Sequence, residues 1–327
     1  MATIRDVAAQ AGVSVATASR VVNQHPGVRE PARTRVLEAV AALGYRANGL
    51  ARGLAIGTMR TVGLVIPDVV NPFFPAQARG VEDAAHADGY ALILGNSDNA
   101  PAREAAYIRL LHDRFVDGII VASSGAPGAL QDLVGETPIV LLDRRVAGWS
   151  VPCVSTDNRA GARLAVEHLL ARGHRQIAHL GGPTQLTSSA DRHAGYAAAL
   201  RAAGIEPDAG WYLPGPFSFE SGYERMRRWI DGGFSCTALF AADDLIAIGA
   251  LQACQDRGWA VPERVAIVGF DDVLLARLVR PRLTTVLQPA YEAGALAWRL
   301  LAERMADPSA HPADVVLEPR LVVRETA

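Results

Sequence analysis

The 327-residue sequence contains no lysine; all 32 of its basic residues are arginine. That excludes a lysine Schiff base, and a preference so uniform reads as coding bias without functional meaning. Cysteine is scarce. Cys153, Cys236 and Cys254 lie far apart with no CxxC, which reads as buried thiols in a reducing compartment rather than a metal or redox pair. No apolar run approaches the ~20 residues that span a bilayer. No basic segment leading into an apolar one opens the chain, so a cytoplasmic protein with no membrane partner is expected. The motifs GxxxxGK[ST], GxGxxG after a strand, HExxH and GxSxG are absent, and the eight histidines show no metal-ligand spacing. Paired acids holding magnesium would be the rival enzyme chemistry. These absences weigh against it, and no catalytic residue, metal or cofactor is expected.

What is present is unevenly distributed. Residues 1–60 hold eight arginines against three acids, whereas residues 61–327 hold 24 arginines against 31 acids. A basic head on an acidic body places any nucleic-acid surface in the head. The head reads as three short helices. Thr3-Ile4-Arg5-Asp6 has capping-box spacing and opens the first, to about Gln10. Ala11-Gly12-Val13 makes a tight turn, and Ser14 caps the second helix. Val13, Ala18, Val21 and Val22 are spaced to face Val7 and Ala8. In the third, Pro31 suits the first turn, Val36, Leu37, Val40 and Leu43 form the apolar stripe, and Gly44 ends it. Residues 45–57, "YRANGLARGLAIG", are small, glycine-rich and weakly helical. The domain boundaries read as head 1–44, hinge 45–60 and core 61–327.

From Thr61 the texture changes. Nine apolar runs of strand length begin at Thr61, Tyr90, Gly118, Pro138, Val151, Gln176, Thr237, Val265 and Thr284, with helical spacing between most of them. Alternating strands and helices predict parallel sheets covered on both faces. Nine strands are too many for one small open sheet, which leaves two doubly wound halves or a closed barrel.

Ligands of open parallel sheets bind beyond the carboxyl ends of the strands. Those ends carry Asp68 and Asn71, Asn96 and Asp98, Ser123 and Ser124, Asp143 and Arg144, Thr156 and Asp157, Asp243 and Asp244, Asp271 and Asp272. Arg192 follows the strand ending at Gly181-Gly182, and Phe73, Phe74, Trp149 and Phe217 are interleaved. Carboxylates and guanidiniums give directed bonds to hydroxyls, and aromatic faces cover the C–H face of a ring. The set describes a polar, neutral or lightly charged ligand such as a sugar. Strand-end Asp and Asn also cap helices, and Asp157 and Asp244, each opening a helix, have that reading first.

"TIRDVAAQAGVSVATASRVVN", "VREPARTRVLEAVAALGYRANGLARGLA" and "TVGLVIPDVVNPFF" resemble the lactose/galactose repressor family of bacterial transcription factors. The resemblance continues through "DNRAGARLAVEHLLARGHRQIAHLGGP", "SSADRHAGY", "FAADDLIAIGAL" and "VAIVGFDD" to "LTTVLQP". It implies a helix-turn-helix head, a hinge and a two-lobed core like that of periplasmic sugar-binding proteins. The lobe crossings would fall near 158, 288 and 316. It implies a homodimer on a near-palindromic operator, controlled by a small-molecule effector and acting most often as a repressor. The chain ends "LVVRETA" without a leucine-heptad tail, so a dimer is expected rather than a tail-tethered tetramer.

The resemblance also implies residue roles. The second helix would enter the major groove. Arg20 would read a guanine, and Val15 and Ala16 would touch thymine methyl groups. Ser14, Thr17 and Asn23 would hold phosphates. Tyr45, Asn48 and Leu54 would belong to a hinge helix formed only on DNA, with Leu54 wedged into the minor groove. Ala47 stands where proline is common, and Gly49 and Gly53 each lower helix propensity by about 1 kcal/mol, so a larger ordering cost is expected. The effector contacts would be Phe73, Phe74, Asp143, Arg144, Arg192, Phe217, Asp243 and Asp271. Asp243 replaces a common asparagine. A carboxylate accepts hydrogen bonds and cannot donate them, which favours a neutral sugar over a phosphosugar or purine. A sugar-binding or sugar-modifying protein without a DNA role is the alternative, and the basic head argues against it.

Overall fold

The computed structural model describes residues 2–23, 25, 27–45, 58–114, 116–124, 137–146, 148–307, 309–310 and 312–327. The chain divides into two compact units, Met1–Arg60 and Thr61–Ala327. The first holds α1 (Ile4–Ala11), α2 (Val15–Val22) and α3 (Glu30–Leu43). Its helix ends are written in the sequence. The Thr3 and Asp6 side chains cap each other's backbone N–H, and Gly12, at φ 62°, takes the left-handed conformation that ends α1. Two residues on, the Ser14 hydroxyl accepts from Thr17 N at 3.1 Å and starts α2. Val7, Ala8, Ala11, Ala18, Val21, Val36 and Ala39 fill the core between the helices. The stripe of α3 differs from the expected one by a position: Leu37 is 51 % exposed and Ala39 is buried. Positions 36, 39, 40 and 43 share one face, and 37 lies about 100° round the helix from 36.

The second unit contains two open six-stranded sheets, which excludes the barrel. Its strands are β1 (Thr61–Ile66), β2 (Ala91–Asn96), β3 (Gly118–Val121), β4 (Ile139–Leu142), β5 (Cys153–Thr156), β6 (Ile177–Leu180), β7 (Tyr212–Leu213), β8 (Ala238–Ala241), β9 (Ala266–Asp271), β10 (Thr284–Leu287), β11 (Val315–Leu317) and β12 (Arg320–Val322). The first lobe is ordered β11-β5-β4-β3-β1-β2 and the second β12-β10-β9-β8-β6-β7. All pairings are parallel except that of β12 with β10. The chain leaves the first sheet after β5, returns after β10, and crosses once more between β11 and β12. The last crossing lies at residues 318–319, since 315–317 are themselves strand.

The helices are α4 (Phe73–Ala87), α5 (Pro101–Asp113), α6 (Asn158–Ala171), α7 (Thr187–Ala202), α8 (Phe219–Asp231), α9 (Asp244–Asp256), α10 (Leu274–Leu278) and α11 (Ala290–Ala306). Packing is closest where glycine permits it. A Cβ on Gly80 of α4 would lie 2.0 Å from the Tyr291 carbonyl oxygen of α11, and one on Gly294 would lie 2.1 Å from that of Gln77. These two helices cover one face of the first sheet and bury Trp298 and Leu301 against it.

Candidate functional site

Each sheet contains the same inversion. In the first, β1 lies between β2 and β3; in the second, β6 lies between β7 and β8. At such a switch point the following segments diverge and leave a crevice at the carboxyl ends. The two crevices face each other. All eight side chains expected to hold an effector line one cavity there, joined by Asn71 and Ser188. Phe73 and Phe74 open α4, Asp143 and Arg144 follow β4, and Arg192 projects from α7. Phe217 lies on the loop after β7, Asp243 precedes α9, and Asp271 ends β9. The cavity leaves about 20 Å³ for water centres, room for one or two waters. A sugar ring enters only if the lobes part.

The charges of the cavity are paired within each lobe. In the first, Arg144 Nε lies 3.0 Å from Asp143 Oδ2, and Arg144 Nη1 donates to the Ser123 carbonyl at 3.2 Å. Burial lowers the pKa of Arg144, and Asp143 opposes that shift. In the second, Arg192 donates from Nε to Asn158 Oδ1 at 2.7 Å and from Nη1 to the Ala242 carbonyl at 2.5 Å. Its Nη1 lies 3.9 Å from Asp271 Oδ1, and the guanidinium sits 3.9 Å from the Phe270 ring centroid. Gln288 Nε2 donates to Asp271 at 2.6 Å. Burial raises the Asp271 carboxyl well above the usual range against the pull of Arg192. Both guanidiniums also approach the Phe217 ring, Arg144 at 6.0 Å and Arg192 at 5.8 Å. Asp143 and Asp271 have φ of 69° and 117°. Backbone strain of this kind gathers at binding sites, where the surrounding structure holds it.

Asp243 connects the lobes. Its Oδ1 accepts from Ile246 N at 2.7 Å and caps α9, while Oδ2 accepts from Asn71 Nδ2 of the first lobe at 3.4 Å. Burial pushes its carboxyl up to about 6, held back by the Ile246 N–H, Arg192 and Arg225. The cap of α9 is thus Asp243, and Asp244, expected in that role, is the first helical residue. Asp244 is fully buried and accepts from Thr285 Oγ1 at 2.5 Å and from Val273 N at 2.8 Å. Asp157 caps α6 through Ala160 N at 2.9 Å. Trp149 packs into the first-lobe core instead of the cavity.

Arg225 and Glu104 escaped the sequence reading. Arg225 is buried and donates to the carbonyls of Gly181 at 2.7 Å, Leu213 at 2.8 Å and Ser221 at 3.0 Å, and of Pro216 at 3.4 Å. It gathers the ends of β6 and β7 with the loop that carries Phe217. Burial lowers its pKa to about 10, with Asp243 the chief opposing influence. Glu104 of α5 is buried and accepts from Ser123 Oγ at 2.9 Å and from Ser124 N. That anchors the strand end whose carbonyl holds Arg144.

In the head, α2 presents Val15, 44 % exposed, with Ala16 and Arg20 also exposed. Val15 is therefore a surface residue and not part of the core. The Arg20 guanidinium makes no hydrogen bond or ion pair among the described residues. Ser14 caps α2, Thr17 bonds to it at 2.9 Å, and Asn23 closes the helix with a bond to Ser19 Oγ at 3.3 Å. Tyr45 is half-buried against the head core. Asn48 and Leu54 lie outside the described residues.

A three-helix unit that turns outward an arginine unpaired among the described residues, and a two-lobed unit with a charged cleft at its strand ends, define a ligand-controlled DNA-binding regulator. The chain belongs to the lacI family of bacterial regulatory proteins, whose model matches residues 3–48. A periplasmic binding protein-like domain matches residues 166–327. The ribose operon repressor of Halalkalibacterium halodurans is 38 % identical over 326 residues, covering 100 % of this chain and 97 % of that one. Among solved structures, the transcriptional regulator CelR–cellobiose complex aligns with a TM-score of 0.76 at 32 % identity over 100 % of both chains. The lac repressor dimer bound to operator and the anti-inducer ONPF aligns with a TM-score of 0.88 at 28 % identity, over 99 % of this chain and 98 % of that one. The protein is a transcriptional regulator, as its relatives are, which sets the enzyme reading aside.

Proposed function

We propose that this regulator acts in the cytoplasm as a homodimeric repressor whose two heads grip a palindromic operator and whose cleft takes a neutral sugar. The observation that carries the effector reading is the pairing in the cleft. Asp143 offsets Arg144, Asp271 offsets Arg192, and Asp243 adds an acceptor with no further cation lining the cavity among the described residues. An anion would have to displace a carboxylate from an arginine. Hydroxyl donors need only the remaining acceptor sites, and Phe74 and Phe217 offer faces for the C–H side of a ring. The cleft must part to admit the ring, and a ligand with different affinities for the parted and closed lobes shifts the balance between them.

Thermal unfolding against sugars, sugar phosphates and purines at millimolar concentration tests this. A ligand at ~100 times its dissociation constant stabilises the native state by about 2.7 kcal/mol, so a neutral sugar should raise the midpoint. A shift from phosphosugars or purines alone would overturn the reading of Asp243. On the DNA side, Arg20→Ala should weaken binding to duplexes selected by the wild-type protein by about 1–3 kcal/mol and relax preference at one base position. Unchanged preference in a competition assay would remove Arg20 from base reading.

A further inference from the structure

The central cavity is not the largest space in the cleft. A second pocket of about 600 Å³ opens beside it, and Phe217 lines both. Both lobes build this outer pocket: Asp68 and Asn99 from the first, Thr184, Gln185 and the loop 214–218 from the second. Its apolar lining is Pro183, Pro214, Pro216 and Phe217, rigid faces of the kind on which the C–H side of a sugar ring rests. Its polar lining is hydroxyl, amide and one carboxylate. Asp68 Oδ1 is committed to Val70 N at 2.8 Å, which leaves Oδ2 for a ligand hydroxyl. No arginine among the described residues lines it, so an anionic group meets no cation among them.

A third pocket, of about 300 Å³, meets the central cavity at Asp143 and Ser188. It has no aromatic or proline face, and its charges are engaged: Arg159 bonds to Asp191 at 2.7 Å, and Asp157 caps α6. The outer pocket is the better second seat.

We propose that the effector is a disaccharide or longer saccharide, with one unit in the central cavity and the next in the outer pocket, its glycosidic link passing the edge of Phe217. This rests on the sugar reading of the cleft. The test is isothermal titration of the full chain with glucose, galactose and xylose, and with cellobiose, maltose, lactose and xylobiose. One disaccharide should bind at least about tenfold more tightly than its component monosaccharide. Thr184→Trp, which fills the outer pocket from an exposed loop position, should bring that disaccharide down to the monosaccharide's affinity. Circular dichroism of the variant confirms that it folds. A monosaccharide that binds as tightly as every disaccharide containing it, or an advantage that survives Thr184→Trp, overturns the outer seat and leaves the sugar reading standing. A panel in which no sugar binds overturns both.

Discussion

Arg192→Met should cost about 3–5 kcal/mol of folding stability at pH 7 and about a hundredfold or more in affinity for whichever sugar the wild-type protein binds. The stability loss follows from what the guanidinium leaves behind. Asn158 Oδ1 and the Ala242 carbonyl lose their donor, and buried Asp271 loses the cation that opposes its desolvation. An acceptor stranded in the interior costs more than the bond itself contributed. The affinity loss follows from position, since Arg192 projects into the cavity between Phe217 and Asp271. The double variant Arg192→Met/Asp271→Asn separates the two effects. Removing both charges should restore part of the stability in urea unfolding and none of the sugar response. A double variant that regains the response would show that neither side chain touches the effector. The same variants should bind operator DNA equally well with and without sugar, because the signal is lost in the core while the head is intact.

The sequence disclosed the elements whose signals are local. Thr3, Ser14 and Asp157 cap helices because short polar side chains reach their own backbone wherever the chain turns into a helix. Eight of the nine apolar runs are strands buried almost throughout, as central parallel strands are; the ninth, β2, lies at a sheet edge and leaves Ile93 and Leu94 exposed. The strands that went unread are fixed by pairing alone. β7 has two residues, and β11 and β12 three each, so their apolar runs are too short to mark strands. The site was legible as a set because the fold sends every strand end to one rim. Which member does what was not. Asp243 and Asp244 are neighbours of one type, and only the direction of approach of Ile246 N and Val273 N separates cap from buried acceptor. Arg225 stands near Arg227 and Arg228, where a solvated helix face is the natural reading. Its role is set by carbonyls of two separate segments, Gly181 and 213–216, that meet only in the fold.

Asp244 carries the second large effect, and its sign is set by burial. The carboxyl is pushed up from its ordinary 3.8 to about 8 by desolvation. The bonds from Thr285 and Val273 pull it down, and Asp243 and Asp272 add to the rise. A raised carboxyl favours the folded state while the group is neutral. Its contribution is complete below pH 3.8 and drains away as pH rises through about 8, because the unfolded chain releases the proton first. Between pH 5 and pH 7 this should remove on the order of 2 kcal/mol. Asp244→Asn reproduces the neutral geometry: its carbonyl accepts from Val273 N, and its amide donates to the Thr285 hydroxyl, which turns to accept. In urea unfolding at pH 5 and at pH 7, the variant should gain on the wild type by about that amount as pH rises. Parallel profiles would mean that Asp244 is ionised in the folded protein across this range. Arg192, which opposes the rise of both Asp243 and Asp271, would then face three ionised carboxylates. In that case Arg192→Met should cost more at pH 7 than at pH 5, which links the two experiments through one side chain.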